Sequence, residues 1–494
     1  MEKEIKTIYI SLPLPANFYS PEILKNLLSE TSHSFVMSVD ASYRGGKKYT
    51  YIGANPHKVL KLYKKNNNFF YEVNGYIRED RGSDFEQLLE KEIAFQKFPK
   101  ELPPFCGGLF GYIGYEMIDR WEELYHAEHH RKLKTLDLPT AYFGLFKDII
   151  AIDHENQKLY VIKNFEKGED EKTVLTRLFR EASFMIEKAL RGAEENTETE
   201  EFFYIRNFVS NTRREEYLKM VEEAKNYILA GEIFQIVISQ RFSFESNIDP
   251  IDLLFALENE NPSPYMFLIN FPEIKLIGSS PEILVEVKDK RVVTRPLAGT
   301  RKRGKNPQED KYLEKELIED IKEKAEHVML VDLARNDLGR VCKPGSVVAP
   351  ELMKIEYYPH VMHIASQVEG DLRDDKTLID VLKATFPAGT VTGAPKVRAM
   401  ELINDLEKEA RGPYAGAVGY LGFHGNMEMC ISIRTIYFFN DRFHIQTGAG
   451  IVSDSKPETE YEETLHKARG LFKAVKRVIE NRHHKQPLTK IKEG

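Results

Sequence analysis

The sequence predicts an α+β fold in which extensive antiparallel sheets are flanked by helices. Short β-branched and aromatic runs, punctuated by glycine and polar residues, recur through the first 190 residues and again in the second half. Long amphipathic segments separate the later runs. Strands and helices come in blocks, without the strict alternation of a βαβ fold. At 494 residues the chain exceeds one simple core, so two units are expected.

Hydrophobic residues make up 42% and charged residues 30%, the balance of a soluble globular chain. A net charge of −7 argues against a nucleic-acid partner. Cys106, Cys342 and Cys430 lie far apart without a CxxC pair, so neither a disulfide framework nor a zinc site is expected. No apolar run is long enough to span a bilayer, and the N-terminal MEKEIKTIYISLPLPANF lacks an apolar signal core. A cytoplasmic location and no membrane partner are the expectation.

SFVMSVDASYRGGKKYTYIG and NFFYEVNGYI read as antiparallel strands. In PPFCGGLFGYIGYEMIDRW, Gly108, Gly111 and Gly114 precede an apolar helix; the spacing is not GxGxxG and reads as a tight backbone crossing. His126, His129 and His130 lack apolar surroundings and HExxH spacing, so they read as a wet loop and not a metal site. LPTAYFGLFKDIIAIDHENQKLYVI gives two strands joined by a turn at His154–Gln157, and TVLTRLFREASFMIEKAL gives a helix. The acidic RGAEENTETEEFFY is the best linker. A boundary near 192–208 is expected, dividing an N-terminal domain, 1–200, from a C-terminal one, 208–480.

RREEYLKMVEEAKNYILAGEI is an amphipathic helix closed by Gly231, and IFQIVISQRFSFE is a strand. IDLLFALENENPSPYMFLINF gives a helix, a proline-broken turn and a strand. LIGSSPEILVEVK and RVVTRPLAGTRKRG read as two strands, the second followed by a glycine turn. Residues 308–338 read as one acidic helix with Glu323 and Glu326 on one face. QTGAGIVSDSKPETEYEETLHKARG, residues 446–470, reads as a strand end, a glycine turn, a loop closed by Pro457, and a helix. Glu460, Glu463 and Lys467 share a face of that helix.

On an arbitrary helix such charges are a solvated face. Two such helices packed face to face would bring four carboxylates together, which demands a cation between them. Magnesium suits that set, since it takes oxygen ligands beside an anionic substrate. Lys467 and the backbone N–H groups of Gly448, Ala449 and Gly450 suit a ligand carboxylate. His363 in YYPHVMHIASQVEG is able to move a proton near neutral pH; a satisfied core histidine is the plain alternative. Arg434, in the strand predicted over MCISIRTIYFF, needs an anionic partner, for which a structural salt bridge also serves. Thr390 lies near these in PAGTVTGAPKVRAMELI. Spacing alone leads to a magnesium-dependent enzyme acting on a small carboxylate.

The strings GEIFQIVISQRF, NPSPYMF, GSSPEIL, RPLAGTRKRG, EKAEHVMLVDLARNDLGR, VMH, PAGTVTGAPK and TGAGIVSDSKPETEYEETLHKA occur in an order that resembles the chorismate-utilising enzymes. Residues 213–475 carry the likeness most closely, and the whole chain is similar to the anthranilate-forming, aminating branch. The resemblance implies that Glu326 and Glu463 ligate magnesium, with Glu323 and Glu460 holding its water or outer shell. It places Arg434, Gly450 and Lys467, with Tyr414, Gly448 and Ala449 beside them, at the substrate carboxylates. His363 and Thr390 fall next to the reacting ring, and Gln235, Ala298, Gly299 and Thr300 along the substrate.

Within this family, water-adding members carry a lysine base where this chain has Gln235, and typical aminodeoxychorismate synthases carry a lysine nucleophile where it has Ala298. The resemblance therefore implies that ammonia attacks chorismate, and that pyruvate elimination gives anthranilate. Cys106 in PFCGG lacks the pattern of a glutamine amidotransferase and reads as an apolar-core cysteine, so the ammonia source is expected to be a separate amidotransferase chain. NPSPYMF matches the family's tryptophan pocket, implying Ser38, Asn261, Pro262, Ser263, Tyr265 and Met266 as inhibitor contacts. VMSV stands where LLES is usual. A folate-branch aminodeoxychorismate synthase and a catalytically silent ligand-sensing subunit are the alternatives.

Overall fold

β-Branched and aromatic residues at alternating positions build the two sheets that dominate the molecule. The computed structural model describes residues 5–65, 68–93, 101–122, 136–190, 204–358 and 361–485. The first 12-stranded sheet runs Ile5–Pro13, Lys158–Glu166, Asp148–Asp153, Lys48–Ala54, Ser34–Asp40, Tyr265–Asn270, Lys275–Ser280, Thr435–Phe439, Arg442–Ile451, Gln235–Glu245 and Arg206–Ser210, with Gly393–Ala394 also on Gln235–Glu245. The second 12-stranded sheet runs Leu297–Lys302, Val361–Asp371, Arg291–Thr294, Ile283–Lys288, Met427–Ile431, Ala417–Gly422, Gly108–Ile113, Ala141–Phe146, Lys58–Lys65, Asn68–Val73 and Tyr76–Glu79. Val348–Tyr357 adds to it by pairing with Val361–Asp371. The pairings are antiparallel, in keeping with the α+β class.

Both faces of the central strands are buried, which is why SFVMSVD reads as nearly continuous apolar residues. Phe35 and Met37 face an aromatic core shared by the two sheets, where Phe35 stacks on Phe110 at 3.7 Å. Val36 faces the other way, under the helices Pro21–Leu28, Pro250–Glu260 and Pro457–Lys485. A third apolar cluster joins the second sheet to Asp84–Glu92, Arg214–Leu229, Ile321–Gly339, Leu378–Thr385 and Lys396–Leu406.

Each sheet draws strands from both sides of the boundary expected near 192–208. The joins are Ser34–Asp40 with Tyr265–Asn270, and Gly108–Ile113 with Ala417–Gly422. The spans 1–200 and 208–480 thus share both sheets and the core between them. Residues 191–203 of the expected linker, and His126, His129 and His130, lie outside the described residues. The tight crossing read from Gly108 and Gly111 is present: a Cβ would meet Leu421 O at 2.2 Å and Tyr142 O at 2.0 Å.

Four local expectations need correction. The run 138–162 holds three strands, because Ala141–Phe146 and Asp148–Asp153 belong to different sheets on either side of Lys147. The run 275–302 likewise holds four strands, with Lys275–Ser280 and Ile283–Lys288 in different sheets. The acidic helix is two, Pro307–Glu319 and Ile321–Gly339, broken at Asp320. Asp320 is extended, with ψ 113°, and its carboxylate caps the N–H groups of Lys322 and Glu323. Gly448, Ala449 and Gly450 form no turn; they continue the strand Arg442–Ile451, opposite Ser239, Ile238 and Val237.

Candidate active site

The new cap at Asp320 matters because it puts Glu323 in the first turn and Glu326 in the second turn of Ile321–Gly339, at one wall of a large open cavity. The cavity measures about 1340 Å³ and is also lined by Glu460, Glu463 and Lys467 from the helix Pro457–Lys485. Its remaining lining includes Gln235, Ala298, Gly299, Thr300, His363, Thr390, Arg434 and Gly450. Residues from both sheets and both charged helices thus meet at one place.

The strand Leu297–Lys302 bulges between Ala298 and Thr300, and Gly299 takes the left-handed φ of +67° that the bulge needs. A Cβ there would sit 3.1 Å from Glu323 Oε2, so glycine lets the backbone approach the carboxylate. His363, paired with Thr300 across the strands, has Nδ1 at 3.2 Å from Gly299 O and 3.0 Å from Thr300 Oγ1. Burial lowers its pKa and the Arg434 charge adds to this, while the Gly299 carbonyl acts against both. With Nδ1–H donated to Gly299, the neutral ring keeps Nε2 as a proton acceptor.

Arg434 is not within a strand. It sits between Met427–Ile431 and Thr435–Phe439 at φ +51°, and its Nη1 donates to the Lys467 carbonyl at 3.2 Å. Desolvation pulls its pKa below the ordinary arginine value, with Tyr414 and Glu463 acting in the other direction. Lys467 Nζ lies 2.7 Å from Glu463 and donates to Gly448 O at 2.9 Å. Tyr414 is buried behind the strand, where a Cβ on Gly448 would meet its hydroxyl at 2.7 Å. Ala449 points away from the cavity into the apolar core and is fully buried, so its side chain meets no ligand.

The carboxylates feel one another. Burial raises the pKa of Glu326, with Glu323 and Glu463 adding to it against the Gln235 amide and Lys322. Burial also raises Glu460, and Glu463 contributes. Among the described residues no three His, Cys, Asp or Glu groups converge to metal-binding distance. Glu463 is engaged by Lys467, and Glu323 by Arg301 at 3.1 Å. In type and charge, and in lining one cavity, the four carboxylates suit a hard divalent cation.

Glu282, inside the GSSPEIL string, is a residue that spacing missed. It lines a small void that shares Leu330 and Thr390 with the large cavity. Burial pushes its carboxyl up to about 8, against the Thr390 hydroxyl, the Leu297 N–H and the Lys467 charge. Its sequence signal was slight: one acid after Pro281 at the head of an apolar run.

The residues implied for tryptophan fall on two faces. Ser38 pairs with Met266 in register, on the side of the Pro250–Glu260 helix, and its hydroxyl lies 2.7 Å from Thr50. Tyr265 faces the inter-sheet core and donates to Glu428 at 3.0 Å, so it cannot line the same pocket. Asn261 donates to Ser279 at 2.6 Å and also lines the large cavity. Pro262 and Ser263 follow it in the connection to the next strand. Cys106 is buried, with Sγ 2.9 Å from Pro103 O, and burial pushes its thiol well up.

The family model described as chorismate binding enzyme matches residues 39–473. An anthranilate synthase component 1 from Acetivibrio thermocellus is 41% identical over 493 residues, 98% of each chain. One from Aquifex aeolicus is 43% identical over 443 residues, 88% of each. The crystal structure of anthranilate synthase component I from Streptococcus pneumoniae superposes with a TM-score of 0.75 at 36% identity, covering 86% of this chain and 92% of that one. The menaquinone-specific isochorismate synthase of Escherichia coli, 18% identical with a TM-score of 0.69 over 96% of this chain and 95% of that one, shares the fold.

Proposed function

The chain belongs to the chorismate-binding enzymes, and from that premise we propose that it is the aminating component of an anthranilate synthase. It converts chorismate and ammonia to anthranilate, pyruvate and water, for tryptophan synthesis. The observation that carries this reading is that Gln235 and Ala298 both line the cavity. An amide and a methyl group stand where related enzymes are expected to place a lysine base or nucleophile, so the nitrogen comes from outside.

Arg434, Lys467 and the backbone of Gly450 hold the substrate carboxylates. Ammonia forms the bond to C2 as the C4–O bond breaks. The departing hydroxyl leaves as water, taking up the proton that the new C–N bond leaves surplus on nitrogen. His363 then takes the C2 proton as the C3–O bond breaks; the ring becomes aromatic and the enolpyruvyl group, protonated at carbon, leaves as pyruvate. Glu326 and Glu463, with Glu323 and Glu460, would hold magnesium. When bound, that ion polarises the substrate carboxylate and the departing groups.

The test is to incubate the chain alone with chorismate, magnesium and ammonium chloride and follow anthranilate fluorescence. An amino product that a lyase turns into p-aminobenzoate would instead assign the folate branch; no chorismate loss would leave a silent binding subunit.

Glu282 has a signature in stability. Its folded pKa, about 8, lies above the ordinary value of 4.5, so the folded state holds a proton that the unfolded chain gives up. Its contribution is complete below pH 4.5 and is lost as the pH rises through 8. Glu282→Gln should therefore melt with wild type at acid pH and a few degrees above it at pH ~9. Equal melting temperatures across the range would contradict the buried, protonated assignment.

In the cell the ammonia would come from glutamine through a separate amidotransferase chain, in the cytoplasm. Tryptophan would act as feedback inhibitor at the Ser38–Met266 face. Inhibition in the micromolar range, weakened by Ser38→Ala, is expected; a flat response into the millimolar range would remove the effector.

A further inference from the structure

Arg301 lies in the strand Leu297–Lys302 and reaches the break between the two acidic helices at Asp320. One guanidinium serves three carboxylates there. Nε donates to Glu316 at 3.0 Å, Nη2 to Asp320 at 3.0 Å and Nη1 to Glu323 at 3.1 Å. Nη1 also donates to Thr300 O at 3.0 Å. Three of these contacts do not involve Glu323, so the planar fork keeps its place when that carboxylate leaves.

Glu323 is the movable partner. Among the described residues its carboxylate has no second hydrogen-bond or ion-pair partner, and both side chains of the pair are 23% exposed. It lines the cavity with Glu326, Glu460 and Glu463, yet no three of them converge to metal-binding distance. Arg301 supplies part of the reason, because it draws Glu323 toward the strand Leu297–Lys302, where Glu323 Oε2 lies against Gly299.

We propose that Arg301 sets the affinity of the cation site, since a divalent cation is able to use Glu323 only by taking it from Arg301. The proposal rests on the assignment of the four carboxylates to a cation made above. Arg301 opposes the cation twice, by its own positive charge and by holding one of the acids. A partly exposed ion pair is weak, so the competition lowers the affinity without closing the site. The cation therefore exchanges with solvent, and its occupancy follows its free concentration. The exchange breaks no covalent bond and moves no proton.

The experiment titrates the full chain with Mn2+ alone, which shares magnesium's preference for oxygen ligands, and follows the free ion by electron paramagnetic resonance. Arg301→Gln removes the charge and the fork. It should bind Mn2+ about fivefold tighter than wild type, the upper scale of a partly exposed ion pair. Glu316→Gln leaves Arg301 one carboxylate fewer and so strengthens its hold on Glu323; it should bind Mn2+ about twofold weaker. Arg303 also lines the cavity but is paired with Asp310 at 2.6 Å. Arg303→Gln removes the same charge without freeing Glu323, and should change the affinity by less than about twofold. No tightening in Arg301→Gln, or equal tightening in Arg303→Gln, would overturn the assignment. If Arg301→Gln does not fold, Glu316→Gln decides, and unchanged or tighter binding in it would overturn the assignment. A wild type that holds no Mn2+ would overturn the cation reading itself, and the role of Arg301 with it.

Discussion

Glu326→Gln should lower kcat for anthranilate formation by about a thousandfold while leaving the protein folded. The proposed cation needs the charge of Glu326, and its stabilisation of developing negative charge is worth several kcal/mol, or about three powers of ten in rate. Stability should not suffer. Burial and the neighbouring Glu323 and Glu463 penalise the charge of Glu326, and the amide removes that charge while keeping the shape. Activity against magnesium concentration, with a melting curve beside it, checks both halves. A variant retaining more than a tenth of wild-type kcat at saturating magnesium would remove Glu326 from the metal set.

Arg411→Met should have the largest effect on stability, about 3–5 kcal/mol, the cost of leaving a buried partner charge unpaired. Arg411 is 1% exposed, and its guanidinium donates to Glu407 through Nε at 2.9 Å and Nη2 at 2.7 Å. It also donates to Val391 O at 2.8 Å and Val237 O at 2.7 Å, and lies over the rings of Tyr115 and Tyr414. Those contacts tie the turn that carries Thr390, the strand that carries Gln235, and Tyr414 beneath Gly448. Arg411→Lys keeps one charge but cannot serve the same set of acceptors, so it should lose part of the same stability. Urea unfolding of both variants measures this. A loss below 1 kcal/mol in Arg411→Met would mean that the pair adds nothing over a packed apolar side chain.

Much of the site was legible because it depends on local periodicity. Glu460, Glu463 and Lys467 share a helix face by spacing alone, and so do Glu323 and Glu326. The break at Asp320 was not legible, because an acid inside an acidic run looks like any other until its carboxylate is seen to cap the next helix. The strand through Gly448–Gly450 was missed for a related reason. Glycines usually signal a turn; here they keep a strand bare beside Tyr414 and Gln235, and only the neighbours reveal that. Glu282 was hidden because its raised pKa comes from desolvation by distant segments.

By itself the sequence determined the fold class and the long amphipathic helices, Glu171–Leu190, Arg214–Leu229 and Pro457–Lys485 among them, since hydrophobic period and turn residues act over a few positions. Motif order determined the family. Tertiary structure alone decided that the two spans share both sheets, because the pairing of Ser34–Asp40 with Tyr265–Asn270 joins segments far apart in the chain and leaves no local pattern. It alone decided that Gln235 meets Glu326 at the wall of the cavity, a property set by what surrounds the amide and not by its neighbours in sequence.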